Sequence, residues 1–181
     1  MSLLNRFTAR LVEASQEPRS AGAKALALLL WGTLFFIVVP VLLFGAGYLI
    51  ERRILSQWAG LLQTAFAGVC IAVGLLLAAW TVLTQVTRGK GTPVPLLPTQ
   101  KLIVTGPYKL CRNPMQLGAM IYYLGIGTWF GSISIGALMF LIGLVLGSCY
   151  HKFVEEKELL LRFGQEYEQY RRKTPFLIPK L

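Results

Sequence analysis

Three uncharged runs set the pattern of the chain. Lys24 and Glu51 bracket 26 residues without a charge, Arg53 and Arg88 bracket 34, and Arg112 and Lys152 bracket 39 with His151 counted as neutral. A helix needs about 20 residues to cross a hydrocarbon core of roughly 30 Å, so the first two runs each predict one span and the third predicts two. One continuous helix over the third run would be nearly twice the bilayer thickness, so a reversal is expected between Gly127 and Ser132. Four spans follow, near 25–50, 59–84, 114–130 and 132–151. Pro40 is expected to kink the first, and Gly45 and Gly47 permit close helix contact there.

The segments between and beyond the spans have their own patterns. Residues 1–20 place Leu3, Leu4, Phe7, Leu11 and Val12 at roughly helical spacing, with Arg6, Arg10 and Glu13 elsewhere, which predicts an interfacial amphipathic helix. The first apolar run is too long for the core of a signal peptide and lacks a convincing cleavage site, so it is expected to stay as an anchor. In the 85–113 loop, Gly89, Gly91, Pro93, Pro95, Pro98, Gly106 and Pro107 forbid a long helix. Leu96, Leu97, Leu102, Ile103 and Val104 are too apolar for a free linker, so the loop is expected either to strap the bundle or to wall a pocket. Beyond the last span the helix should continue through Leu161, be capped at Gly164, and be followed by a short helix through Tyr167 and Tyr170 that ends before Pro175.

Composition agrees with a membrane protein: 55% of the 181 residues are apolar and 14% are charged. Of the 18 Lys and Arg residues, sixteen lie in the N-terminal segment, the 85–113 loop and the segment from 152 onward, against two, Arg52 and Arg53, after the first span. That partition predicts both termini and the middle loop in the cytoplasm, and the net charge of +10 adds attraction to anionic lipids. The basic residues flank spans and no nucleic-acid motif is present, so nucleic acid is not an expected partner. Cys70 and Cys149 are expected as small core residues, and Cys111, at a membrane edge, is open to acylation.

Candidate chemistry is confined to few residues. Glu158 with Arg162, Glu168 with Arg172, and Glu156 with Lys152 stand four apart, the usual arrangement of a solvated helix face. Glu155 has no such cation and shares a face with His151, where either a structural or a functional pair fits. With His151 the only His, no Asp anywhere and no Glu inside a span, haem ligation, ion-coupled exchange and metal binding are not expected. An organic cofactor or substrate at the cytoplasmic edge remains.

The ordered set Gly91-Thr92-Pro93, Pro95, Pro98, Leu102 through Tyr108, Arg112-Asn113-Pro114-Met115, Gly118, Glu155-Glu156, Phe163-Gly164, Tyr167, Tyr170 and Pro175 resembles the isoprenylcysteine carboxyl methyltransferase-like family. Its members are integral-membrane S-adenosylmethionine-dependent methyltransferases related to phospholipid N-methyltransferases. The resemblance covers about residues 88–179. It implies an all-α polytopic protein with about four transmembrane helices, an N-terminal interfacial helix and a cytoplasmic C-terminal helical extension. Residues 1–84 would supply the interfacial helix and two scaffold spans; 85–181 would supply the cofactor-binding loop, the hairpin and the C-terminal segment, within one structural domain.

Residue by residue, the resemblance implies a cofactor pocket lined by Gln100, Lys101, Leu102, Ile103, Tyr108, Asn113 and Glu155. His151 falls where the family's eukaryotic members carry an arginine that meets the substrate, and it would orient the acceptor or take its proton. Arg112 would pair with the methionyl carboxylate or anchor to headgroups. Tyr167 and Tyr170 are expected to pack. The chain departs from the family at Asn113, in place of the His of an Arg-His-Pro signature, at Gln116, in place of a frequent Tyr, and at His151 itself. The Asn variant resembles bacterial members, which implies the bacterial inner membrane. The implied activity is methyl transfer to a lipophilic or membrane-delivered acceptor, a carboxylate, thiol, amine or hydroxyl. The alternatives are a nicotinamide-dependent reductase of the sterol-reductase type and a non-enzymatic membrane scaffold subunit.

Overall fold

The computed structural model describes residues 9, 11–13, 20–51, 60–95 and 97–179. Most of the expected interfacial helix and the Arg52-Arg53 turn lie outside the described residues. Among the described residues every regular element is helical. In chain order these are α1 (Ala21–Thr33), a π-helical segment (Leu34–Val38), α2 (Val39–Glu51), α3 (Leu61–Arg88), a 3-10 turn (Gly106–Lys109), α4 (Pro114–Phe130), α5 (Ile133–Tyr150), a second π-helical segment (His151–Glu155) and α6 (Glu156–Lys173).

Among the described residues, three helical stretches are long and apolar enough to cross a membrane: Ala21–Leu49, Leu61–Arg88 and Ile133–Lys173. The last covers 41 residues, more than the roughly 20 that one bilayer core needs, and is interrupted at Gly164 in its charged second half. α4 has 17 residues, about 25 Å, slightly under the length of a full crossing. The chain reverses at Gly131-Ser132, inside the expected window, where the Gly131 N–H meets the Gly127 carbonyl at 3.1 Å and the Ser132 hydroxyl accepts the Ile135 N–H.

The chain divides into two compact units. The first comprises Gly32–Ala78 and Met115–Gly147. Within it α3 and α4 touch through small residues: a Cβ on Gly74 would lie 2.6 Å from the Tyr122 nitrogen, and one on Gly125 would lie 2.9 Å from the Ala67 carbonyl oxygen. Close backbone approach is how apolar helices associate where lipid removes the hydrophobic drive. Tyr123, Ile135 and Met139 form the buried cluster of this unit, with Leu43, Phe44 and Ala119 packed against it.

Pro40 does disturb the first span, where a π-helical segment precedes it. Proline has no N–H to donate, so the Phe36 carbonyl four residues earlier loses its intrahelical partner. The Tyr122 hydroxyl donates to the Phe36 carbonyl at 2.9 Å, and the Tyr123 hydroxyl donates to the Phe35 carbonyl at 2.8 Å.

The second unit comprises the N-terminal segment to Trp31, Ala79–Pro114 and Ser148–Leu181. Its loop turns tightly off α3: the Gly89 and Gly91 N–H groups both reach the Gln85 carbonyl, and the Gln100 N–H returns to the Gly89 carbonyl at 2.7 Å. Gly164 lies at φ +50°, ψ −123° and breaks α6 where the cap was expected. One expectation for the cysteines fails: Cys149 is exposed rather than a core residue, whereas Cys70 is buried as expected. Cys111, left open by the sequence, is 1% exposed beside the 3-10 turn, which leaves its thiol little access to an acyl donor.

Candidate functional site

The second unit holds an open pocket of about 490 Å³, counting the solvent at its mouth. Gln85 in the last turn of α3, Thr99, Leu102 and Ile103 from the loop, Tyr108 from the 3-10 turn and Arg112-Asn113 ahead of α4 line one side. His151, Glu155, Glu156, Leu159, Tyr167 and Tyr170 line the other. The loop is therefore a pocket wall as well as a strap.

Local geometry explains why these side chains converge. The second π-helical segment carries His151 and Glu155, and the Nδ1 of His151 contacts the Glu155 carboxylate, the pairing expected from their spacing. π-helical turns widen the helix and often mark functional sites. The break at Gly164 re-aims the end of α6, so that Tyr167 and Tyr170 turn inward: the Tyr170 hydroxyl donates to the Tyr108 carbonyl at 2.7 Å, and Arg112 Nη1 approaches the Tyr167 hydroxyl at 3.3 Å. Both tyrosines pack, as expected, and both also face the pocket.

Arg112 is the most heavily tied residue in the site. Its Nη1 donates to the Glu156 carboxylate, its backbone N–H reaches the Pro175 carbonyl at 2.9 Å, and its guanidinium lies 5.4 Å from the centre of the Phe176 ring. Asn113 donates to the Phe176 carbonyl at 2.9 Å, so the two residues staple the C-terminal tail beneath the pocket. The expected Lys152–Glu156 pair gives way to this one. Lys152 is exposed, whereas Arg112 and Arg171 both approach Glu156, which is 13% exposed. The Glu158–Arg162 pair forms at 2.5 Å, yet both side chains are 7% exposed, so the solvated-face reading fails there too.

Two pocket-lining residues each keep a polar atom that is shielded from solvent and has no hydrogen-bond partner, Gln85 Oε1 and Arg112 Nε. Gln85 uses its Nε2 on the Tyr108 hydroxyl. Burial, and then the negative charge of Glu155, push the Tyr108 phenol far above its ordinary pKa, so it stays protonated. Burial likewise pushes the Cys111 thiol up, against a backbone hydrogen bond at Asn113 that pulls it down.

Of the residues expected at the cofactor, Leu102, Ile103, Tyr108, Asn113 and Glu155 line this pocket together with Arg112 and His151. Gln100 and Lys101 are exposed and outside the lining. Sequence reasoning missed Gln85, Thr99, Glu156 and Leu159. Gln85 had a readable signal, an amide in the last turn of a mostly apolar span. Among the described residues no cluster of His, Cys, Asp or Glu is suited to hold a metal.

Comparison with known proteins brings the site into a family. The chain is 31% identical over 134 residues to the nickel-cobalt-cadmium resistance protein NccN of Alcaligenes xylosoxydans xylosoxydans, covering 70% of this chain and 56% of that protein. It is 30% identical over 74 residues to methanethiol S-methyltransferase 2 of Bradyrhizobium diazoefficiens, 41% of this chain and 27% of the relative. It is 36% identical over 80 residues to the protein-S-isoprenylcysteine O-methyltransferase of Schizosaccharomyces pombe, 43% and 33% of the two chains. The chain thus spans little more than half the length of the first of these relatives. No solved structure matches it significantly. The family model for phospholipid methyltransferases matches residues 62–166, more than half of the chain and nearly all of the pocket lining, and on that match the chain belongs to the phospholipid methyltransferase family.

Proposed function

We propose that the protein is an integral-membrane methyltransferase that uses S-adenosylmethionine and methylates a lipophilic or membrane-delivered acceptor. The observation that carries this reading is one pocket, lined by Gln85, Tyr108, Asn113 and Glu155, that falls inside the family-matched segment. A ligand carrying both a cation and hydrogen-bonding groups suits that lining, with the Glu155 carboxylate as an acceptor.

The residues present fit that cofactor. Leu102, Ile103 and Leu159 offer apolar surface and Tyr108 an aromatic face for adenine. Glu155 can accept from an ammonium or from ribose hydroxyls, and Asn113 stands in the same lining. When bound, S-adenosylmethionine supplies a methyl group with its own leaving group, so the protein's part is positioning, exclusion of water and control of the acceptor's proton. His151, held by Glu155, is the group proposed to orient the acceptor or take that proton.

Two relatives are named as an S- and an O-methyltransferase, which supports a sulfur or oxygen acceptor as well as nitrogen within one architecture. The sixteen-to-two partition of Lys and Arg supports a pocket opening to the cytoplasm. The deciding experiment is titration calorimetry of S-adenosylhomocysteine on the detergent-solubilised chain, with a nicotinamide dinucleotide as comparison. Saturable binding of the first alone is expected. Binding of neither to folded protein overturns the proposal, and preference for the nicotinamide would favour a reductase.

A further inference from the structure

Glu158 and Arg162 form an ion pair that is 7% exposed at both side chains, on the same helix as the exposed Lys157. The pair does not stand alone. Arg162 Nη2 also donates to the Thr99 carbonyl, 63 positions earlier, and the guanidinium lies 4.8 Å from the centre of the Phe163 ring. Thr99 is itself a pocket residue, followed three and four positions later by Leu102 and Ile103.

The loop at Thr99 is fixed from the other side as well. The Gln100 N–H meets the Gly89 carbonyl at 2.7 Å, and a Cβ on Gly89 would lie 2.7 Å from Thr99 Cγ2 and from Ile103 Cδ1. One peptide unit, Thr99–Gln100, is therefore gripped by the end of α3 through its N–H and by α6 through its carbonyl. Arg is suited to this task, because a planar fork can serve a carboxylate and a carbonyl at once where an ammonium is a single point charge.

We infer that Arg162, held by Glu158, is a positioning residue that sets the cofactor wall Thr99–Ile103 without touching the cofactor. The inference rests on the proposed methyl-donor site for its binding readout. Its second readout, the exchange of backbone amides with no ligand present, is independent of that reading.

The test compares Arg162→Gln, Arg162→Lys and the double variant Glu158→Gln/Arg162→Gln in the full chain in detergent. Arg162→Gln alone leaves Glu158 buried and unpaired, so loss of fold there is expected and is resolved by the double variant, which removes both charges. The double variant is expected to melt close to the parent, bind S-adenosylhomocysteine about tenfold more weakly, as loss of a charge-assisted hydrogen bond implies, and exchange amides 97–105 faster. Arg162→Lys is expected to recover part of the affinity. A folded double variant with parental affinity and unchanged exchange overturns the inference and leaves the pair purely structural. Faster exchange in a chain whose parent binds no S-adenosylhomocysteine would uphold the strap and overturn the methyl-donor site instead.

Discussion

Arg112 and Glu156 lie 44 positions apart and meet across the base of the pocket, with side chains 12% and 13% exposed. Each neutralises the other where neither is well hydrated, and the pair joins the segment before α4 to the start of α6. Replacing Glu156 by Gln should leave a guanidinium uncompensated at about 3 kcal/mol, the usual scale for breaking a largely buried pair. Thermal melts should fall by about 5–10 °C. An unchanged melt would show that Arg112 finds water or another acceptor.

Glu155 and His151 touch, yet the proposal gives them different work. Glu155→Gln should weaken S-adenosylhomocysteine binding by about tenfold with the melt nearly unchanged, because a charged acceptor is lost but the amide keeps its shape. His151→Asn should lower turnover about 100-fold once an acceptor is in hand, while leaving that affinity within a factor of about two. Equal loss of binding in both variants would merge the two roles.

Gly74 has no room for a side chain: its Cβ would lie 2.6 Å from one backbone atom of α4 and 2.7 Å from another. Gly74→Ala should destabilise by about 1–3 kcal/mol through forced separation of α3 and α4. Gly22→Ala, where nothing lies within 4 Å, should be neutral or slightly stabilising in its helix. The comparison of the two melts separates packing from helix propensity.

Tyr108 and Cys111 both hold their protons more tightly folded than unfolded. An unfolded thiol and phenol ionise near about 8.5 and about 10, so the unfolded chain loses these protons first as pH rises. Stability from the two groups is therefore complete below about pH 8 and falls above it, toward their raised folded values. Their contribution to the melt should be flat from about pH 7 to 8 and decline progressively beyond about 9, and Tyr108→Phe should remove the phenol's share of that decline.

The parts of the fold that were legible in the sequence depend on run length and near neighbours. Lengths of uncharged sequence located the apolar helices and the reversal at Gly131, and spacing alone put His151 beside Glu155. Gly164 was readable because a left-handed break needs little more than a glycine after a run of helix formers. What failed was environment. Lys152 lost Glu156 to Arg112, and Glu158–Arg162 formed as spaced but under a loop, because which helix face a loop covers is decided by distant residues. Gln85 was passed over for the same reason: its amide gains meaning only beside Tyr108, 23 positions on.

Tyr122 completes the hydrogen bonding of a helix that was made long before it. Until α4 is synthesised, the Phe36 carbonyl lacks the phenol that satisfies it in the finished fold. Such groups are poorly tolerated in hydrocarbon, so the first span is an unfinished transmembrane segment during translation. Its biogenesis thus has a built-in order: the segment has reason to linger at the insertion machinery, or near lipid water defects, until its later partner arrives. A defect at Tyr122 would then surface as poor insertion and low yield before it surfaced as a loss of the proposed methyl transfer.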